Sequence, residues 1–423
     1  MVARGGAAGL LLPAKALTAP PVAHGPRHPA NDDTNGEHFM RQGDTTTADF
    51  GGRQDQARSV GPVLAPFEGI RSIAVLRGGG LGDLMFALPA IAALKDRYPE
   101  ARITLLGMPG HAALLDGRPG PVTAVQELPV FPGVRPGDED PQAVEEFFAT
   151  VRGSFDLAVQ LHGGGRNSNP FLLRLGARHT IGTRTPDAVA LERTVPYVYY
   201  QHEVFRALEV VGLAGAVPRD LEPRVEVLPA EQERAAQLTG AGPVALHPGA
   251  TDPRRRWPSS SFAEVAVRAA ADGCEVVVVG DASDAPTAEE IVRLALAADP
   301  TADVRSLAGQ LTLGELTGVL ARSAVMVGND SGPRHLAQAV GTPTVGVYWI
   351  GNVINAGAMG RSLHRVHFSW VTQCPVCGVD VTQVGWTAER CEHDDSFVAA
   401  VRPDAVYADV AELRATSLLL RGR

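Results

Sequence analysis

The chain has 423 residues, 38 Lys and Arg against 47 Asp and Glu, and a formal net charge of −9. That length exceeds one comfortable core and predicts two domains, while the acidic balance argues against a general nucleic-acid binder and leaves room only for a local basic patch on an anionic ligand. Only four cysteines occur, three of them within residues 374–391, and no run of about 18 apolar residues exists, which argues against a secreted disulfide scaffold and a spanning helix.

Residues 1–66 are expected to form a disordered extension. Pro13 and Lys15 interrupt the short apolar patch that a signal peptide would need, and residues 18–65 are rich in Pro, Gly, His, Asp, Thr and Gln with almost no aliphatic periodicity. Order is expected from about Phe67. Residues 70–76 read as a strand ending in Arg77-Gly78-Gly79-Gly80-Leu81-Gly82-Asp83, followed by a helix whose buried stripe is Leu84, Leu88, Ile91 and Leu94. Pro89 lies inside that stripe and either kinks the helix or marks a start one turn later. Further strands are expected at 103–106, 121–125 and 155–161. The proline-rich loop 129–141 carries Asp138-Glu139-Asp140, which reads as a solvated charge run in preference to a cation site. His162-Gly163-Gly164-Gly165-Arg166-Asn167 follows the last of these strands.

A linker-like stretch at 218–229 precedes a second series: a helix at 231–238, a strand at 243–246, and a loop running from His247 to Trp257. Ser259-Ser260-Ser261 are placed to cap a helix through 271, and the apolar strand 274–279 ends in a loop opened by Gly280 and carrying Asp284. Helices follow at 288–298 and 313–321. The strand that begins at Val325 stops at Gly328-Asn329-Asp330-Ser331-Gly332, and Pro333 suits the first helical position. A last helix is expected from Pro403. The pattern is α/β, two doubly wound halves with glycine-rich loops at the carboxyl ends of their strands. The expected domains are an extension (1–66), a first doubly wound domain (67–228), a second doubly wound domain (229–402) and a terminal helix (403–423) packing back on the first domain.

Three loops carry candidate chemistry. The spacing of Gly78, Gly80 and Gly82 fails the dinucleotide fingerprint, because Asp83 and Met85 stand where the third glycine belongs. A carboxylate at that tip repels pyrophosphate, so Asp83 suits either proton acceptance or simple helix capping. Arg254, Arg255 and Arg256 can clamp a diphosphate or form a solvated basic loop. The amides from Ser331 to His335, backed by a helix dipole, suit phosphate, although an ordinary strand-to-helix turn has the same composition.

Arg77 with Asp83 and then Pro89-Ala90, the block Leu246-His247-Pro248-Gly249-Ala250 with Arg255-Arg256-Trp257-Pro258, Leu307-Ala308-Gly309, and Asn329-Asp330-Ser331-Gly332-Pro333 with His335-Leu336-Ala337 resemble, in order over residues 70–413, the bacterial glycosyltransferase family 9 typified by the lipopolysaccharide heptosyltransferases. The resemblance implies a GT-B architecture of two facing Rossmann-like domains and inverting transfer without a catalytic metal or other cofactor. It implies a nucleotide sugar such as ADP-heptose as donor and a glycan, glycolipid or small-molecule acceptor. It assigns the general base to Asp83, the diphosphate grip to Arg255, and phosphate and sugar contacts to Asp330, Gly332 and His335. His247 and Ser331 join them as donor-binding candidates, with Asp284 on the ribose hydroxyls. Arg255 stands where the family usually has Lys, and Arg334 where it is more often apolar. A nucleotide-sugar epimerase of the same plan and a non-catalytic nucleotide-binding protein are the alternatives.

Cys374, Cys377, Cys391 and His393 fit either a structural zinc site or a disulfide with idle thiols, with His364 and His367 as spare ligands. The composition and cysteine usage predict a cytoplasmic protein, peripheral at the inner face of the plasma membrane if the acceptor is a lipid.

Overall fold

The structure is a computed structural model and describes residues 60–382 and 388–421. Among these, two six-stranded sheets follow one another along the chain, every named pair parallel. The first holds β1 (Ser72–Leu76), β2 (Arg102–Gly107), β3 (Ala124–Glu127), β4 (Leu157–Gln160), β5 (His179–Arg184) and β6 (Arg193–Pro196), in the order β3-β2-β1-β4-β5-β6. The second holds β7 (Val244–His247), β8 (Val276–Val278), β9 (Val304–Ser306), β10 (Val325–Asn329), β11 (Thr344–Trp349) and β12 (His364–Ser369), in the order β12-β11-β10-β7-β8-β9. Counted from its own first strand, each sheet has the Rossmann order. Chain direction across the sheet therefore reverses between β1 and β4 and between β7 and β10, where open α/β sheets leave a crevice for ligands.

Helices cover both faces. In the first half they are α1 (Leu81–Arg97), α2 (Pro109–Leu115), α3 (Pro141–Val151), α4 (Ser168–Leu173) and α5 (Glu203–Gly212). In the second they are α6 (Pro229–Leu238), α7 (Ser259–Ala271), α8 (Ala285–Ala298), α9 (Leu313–Arg322), α10 (Gly332–Ala339), α11 (Ile350–Ala356) and α12 (Pro403–Arg421). The central strands are buried on both sides: Ile73, Ala74, Val75 and Leu76 have no exposed surface, which is why they read as a continuous apolar run instead of an alternating one. One apolar cluster joins the halves, running from Ile73 and Met85 through Leu336 on α10 to Ala245 and Val277 in the second sheet.

Several sequence expectations are revised. Residues 1–59 of the expected extension lie outside the described residues, but 60–66 belong to the fold: Val63 is buried and the Leu64 amide donates to Gly212 O at 3.0 Å. α1 starts at Leu81 and continues through Pro89, so no later start is used. Asp140, the last of the acidic triplet, caps α3 by accepting from the amides of Gln142 and Ala143. Ser259-Ser260-Ser261 lie within the first turn of α7 and make no capping bond, because Pro258 occupies the cap position.

The terminal helix α12 packs on the second sheet, not the first. Val406, Val410 and Leu413 are buried in the second core, Tyr407 Oη donates to Arg268 O on α7 at 3.1 Å, and His367 on β12 contacts Asp409 at 2.7 Å. Its apolar stripe completes the face of the sheet beside α7, which decides its side. Leu413→Ala should therefore destabilise the protein by about 2–5 kcal/mol, read as a lower urea midpoint.

Candidate functional site

A cleft of about 900 Å³ is lined from one side by Gly80, Gly82 and Asp83 and from the other by Arg255, Asp284 and Ser331. The loop after β1 and the loops after β7 and β10 open into it, whereas the loop after β4 lines a separate cavity. On the first side the organiser is Arg77, at the end of β1 and almost fully buried. Its Nε donates to Asp83 O at 3.1 Å, Nη1 to Leu161 O at the end of β4, and Nη2 to Asp83 Oδ1 at 2.6 Å and Glu203 Oε2 at 3.3 Å. Burial by itself would lower this guanidinium, but the Asp83 and Glu203 carboxylates outweigh it and hold it above its ordinary value. The other Asp83 oxygen accepts from the Gly80 amide at 2.8 Å. Asp83 thus caps α1 and still keeps 46% of its side chain exposed at the cleft. Gly79 has φ +88°, and a Cβ there would lie 2.5 Å from Asp83 Oδ2, so the turn needs glycine for both reasons.

On the second side the centre is Asp330, which follows β10. Its Oδ1 takes the His335 Nε2 proton at 3.0 Å; its Oδ2 accepts from Arg255 Nη1 at 3.1 Å and Asn352 Nδ2 at 2.8 Å. Burial alone would raise this carboxyl, yet the His335 bond and the charges of Arg255 and Arg334 hold it below the ordinary value. His335 is the reverse case. Burial, then the neighbouring Arg334 charge, depress it to about 4. Geometry agrees: a guanidinium only donates, so Arg334 Nη2, 2.6 Å from His335 Nδ1, fixes that nitrogen as an acceptor and leaves the proton on Nε2. Arg334 itself is wholly buried, with its guanidinium 5.0 Å from the Tyr348 ring centroid.

Two further contacts assemble this wall. His247 Nε2 lies 3.3 Å from Asp284 Oδ2 and its Nδ1 3.0 Å from Ser331 Oγ, a chain of three side chains along the cleft. Asn329 ties the loop after β7 at both ends, accepting from the Trp257 amide at 3.0 Å and donating to Pro248 O at 2.7 Å. The three arginines of that loop divide. Arg255 and Arg256 line the cleft, whereas Arg254 folds back on Asp252 and stacks over Phe397. Ser331 precedes α10, whose first amides lack intrahelical acceptors. The helix tips of the two sides meet here: a Cβ on Gly332 would lie 2.9 Å from Leu81 Cβ, and one on Gly82 3.1 Å from His335 Cδ2.

The sequence-predicted residues Asp83, His247, Arg255, Asp284, Asp330, Ser331, Gly332 and His335 all line this one cleft. Sequence reasoning missed Glu203, Phe86, Asn352 and Asn355, which also line it, and gave Arg77 no task. Phe86 stacks edge-on against His335 at 4.4 Å, and Asn355 Nδ2 reaches across to Tyr199 O at 2.7 Å. None of these carries a local signal, because each acquires its partner from a different part of the chain.

Away from the cleft, Cys374, Cys377, Cys391 and His393 come together with their ligand atoms within 4.8 Å of one another. All four cysteines of the chain are free thiols, so the disulfide alternative is not formed. His393 Nδ1 is buried with no hydrogen-bond partner, and the amides of Cys377 and Val376 help lower the Cys374 thiol to about 7. The spare candidates are occupied elsewhere, His364 by Thr344 at 2.9 Å and His367 by Asp409.

Because burial excludes a proton from folded His335 down to about pH 4, while an unfolded histidine takes one up near its ordinary value, the unfolded state binds more protons through that window. Stability should fall as pH falls from about 6.5 towards 4. His335→Gln should make that fall shallower, measured as urea midpoints across the window.

The profile of glycosyltransferase family 9 (heptosyltransferase) matches residues 145–374. Lipopolysaccharide heptosyltransferase 2 of Escherichia coli K12 is 37% identical over 292 residues, 65% of this chain and 82% of that protein. The solved structure of E. coli ADP-heptose lps heptosyltransferase II superposes with a TM-score of 0.64 at 21% identity, covering 82% of this chain and 99% of that one. The bacterial iron-containing dodecameric glycosyltransferase TibC from enterotoxigenic E. coli H10407 superposes with a TM-score of 0.50 at 13% identity, covering 84% and 79%. With its two Rossmann-ordered halves in the GT-B arrangement, the chain belongs to glycosyltransferase family 9 and is a glycosyltransferase that draws on a nucleotide-sugar donor.

Proposed function

We propose that the protein moves a heptose from ADP-heptose to an acceptor hydroxyl, with inversion and without a catalytic metal. The observation that carries this is the sharing of one cleft by Asp83, the more exposed of two carboxylates on the first side, and by Arg255, Arg256 and the start of α10 on the second. A diphosphate needs cations and free amides, which the second side offers; an attacking alcohol needs a base, which the first side offers. Leu311, Leu313 and Leu316 give the second side an apolar wall suited to a nucleobase.

In this mechanism Asp83 takes the acceptor proton as the hydroxyl oxygen attacks the anomeric carbon from the face opposite the nucleotide. Arg77 keeps the carboxylate oriented. The charge that grows on the leaving diphosphate is met by Arg255 and Arg256 and by the α10 amides, where a metal would otherwise stand. Asp330 holds Arg255 in place and offers no group to the phosphate, since two anions would repel. His335, held neutral, serves as a fixed wall and partner for Asp330 and not as a proton donor to the leaving group. Asp284, engaged by His247, retains an oxygen for the ribose hydroxyls.

Cys374, Cys377, Cys391 and His393 we assign to a structural metal, zinc by preference. Tetrahedral bonds of about 2.0–2.3 Å need ligand atoms roughly 3.5–4 Å apart, a small contraction from the present cluster, and the unpartnered His393 Nδ1 is the nitrogen such an ion would take. The TibC glycosyltransferase is iron-containing, so elemental analysis should include both metals. No described helix is long and apolar enough to cross a membrane. We place the reaction in the cytoplasm, with peripheral membrane contact where the acceptor is a lipopolysaccharide precursor.

Incubation with ADP-heptose and a panel of acceptors, with magnesium and manganese withheld, tests the assignment; the anomeric configuration of the product by NMR tests inversion. Release of ADP without dependence on any acceptor overturns the transfer. Asp83→Asn should lower kcat by about 10²–10⁴ with ADP affinity nearly unchanged; full turnover in that variant removes Asp83 from the chemistry. Arg255→Ala should weaken ADP binding by about 10- to 100-fold, measured by titration calorimetry.

A further inference from the structure

The segment that carries the cysteine cluster does not stop at its ligands. Residues 372–381 form a short hairpin: the Gly378 amide donates to Cys374 O at 2.9 Å, that of Cys374 to Val379 O at 2.8 Å, and that of Val381 to Thr372 O at 3.0 Å. Cys391 and His393 close the cluster from the returning strand of chain. Immediately beyond them, Ser396 Oγ donates to Arg256 O at 2.6 Å and the Phe397 amide donates to Arg254 O at 2.7 Å. Phe397 is buried with Cys374 and Val381, and the Arg254 guanidinium lies 5.1 Å from its ring centroid. Farther along, Trp257 Nε1 donates to Val401 O at 3.0 Å. The carbonyls on both sides of Arg255 are therefore held by the two residues that follow the cluster.

We infer that the Cys₃His cluster, once it holds its metal, is a strut that sets the arginine loop after β7, so that metal loading governs how tightly the protein grips the donor's diphosphate. The inference rests on the structural-metal and donor assignments made above. Its physical basis is short leverage. His393 stands three positions before Ser396, so an ion that fixes His393 fixes the chain entering these two hydrogen bonds. Without it, four ligand side chains have no common partner, and among the described residues the hairpin and returning segment meet chiefly through the apolar cluster of Cys374, Val381 and Phe397. Asn329 holds the loop independently at its two ends, Pro248 and Trp257, so loss of the metal loosens the arginine segment between them and leaves the sheet intact. Metal sites commonly act this way, orienting groups well beyond the ligands themselves.

The test compares zinc-loaded and chelator-stripped wild-type protein with Cys377→Ser, Ser396→Ala and Ser396→Thr. Amide hydrogen exchange should show loss of protection at residues 250–257 in the stripped protein and in Cys377→Ser, with β7 and β10 still protected. ADP affinity should fall in parallel. Ser396→Ala should keep full metal content, lose about 2- to 10-fold in ADP affinity, and be restored by Ser396→Thr, which retains the hydroxyl. Equal protection at 250–257 and equal ADP affinity with and without metal overturn the strut, as does a protein that neither contains nor takes up zinc or iron. Wild-type protein that binds no ADP overturns the donor assignment instead, and the exchange measurement then still decides the strut.

Discussion

The buried carboxylate of Asp330 is the constraint around which the second side of the cleft is arranged. An ionised group in that position is strongly unfavourable unless its lone pairs are filled. Three donors fill them, each from a different element: His335 from α10, Asn352 from α11 and Arg255 from the loop after β7. One anion therefore fixes the mutual placement of a helix start, a second helix and an arginine loop. The arginine that results is already oriented, so little rotamer freedom remains to be lost when an anionic ligand arrives.

The first side of the cleft uses the opposite sign for the same purpose. Arg77 is a buried cation whose hydrogen bonds join the ends of β1 and β4 to α1 and α5, and of its two carboxylate partners Asp83 is the more exposed to solvent. Each half thus buries one charge at its reversal of strand order and presents the counter-charge to the common space. The shared Rossmann order makes this symmetry available: in both sheets the loops after the first and fourth strands lie next to each other.

Much of this is legible from residue order alone because the informative loops are local. Asp83 at a helix start, the Arg-rich stretch before Trp257 and the Asp330–His335 turn each carry their own punctuation, and the long apolar strands at 72–76 and 325–329 need no partner to be recognised. The unread parts are those decided at a distance. β6, at the sheet edge, and β5 beside it contain His179, Thr183, Arg184 and Arg193, polar residues that resemble loop. α12 has an apolar stripe that fits any uncovered sheet face, and only tertiary packing against α7 selects which. Arg334 looks like a surface residue by type, yet it sits among Tyr348, His335 and Ala356 with no exposed surface.

The contact between the tips of α1 and α10 has a mechanical meaning. With Gly332 against Leu81 and Gly82 against His335, no slack is left at that point, so the two lobes cannot come together further there. A rotation of one half against the other about this point would open the far rim of the cleft while the spacing between Asp83 and the start of α10 hardly changed. Such a placement lets bulky molecules enter and leave at the rim without detuning the chemistry at the pivot.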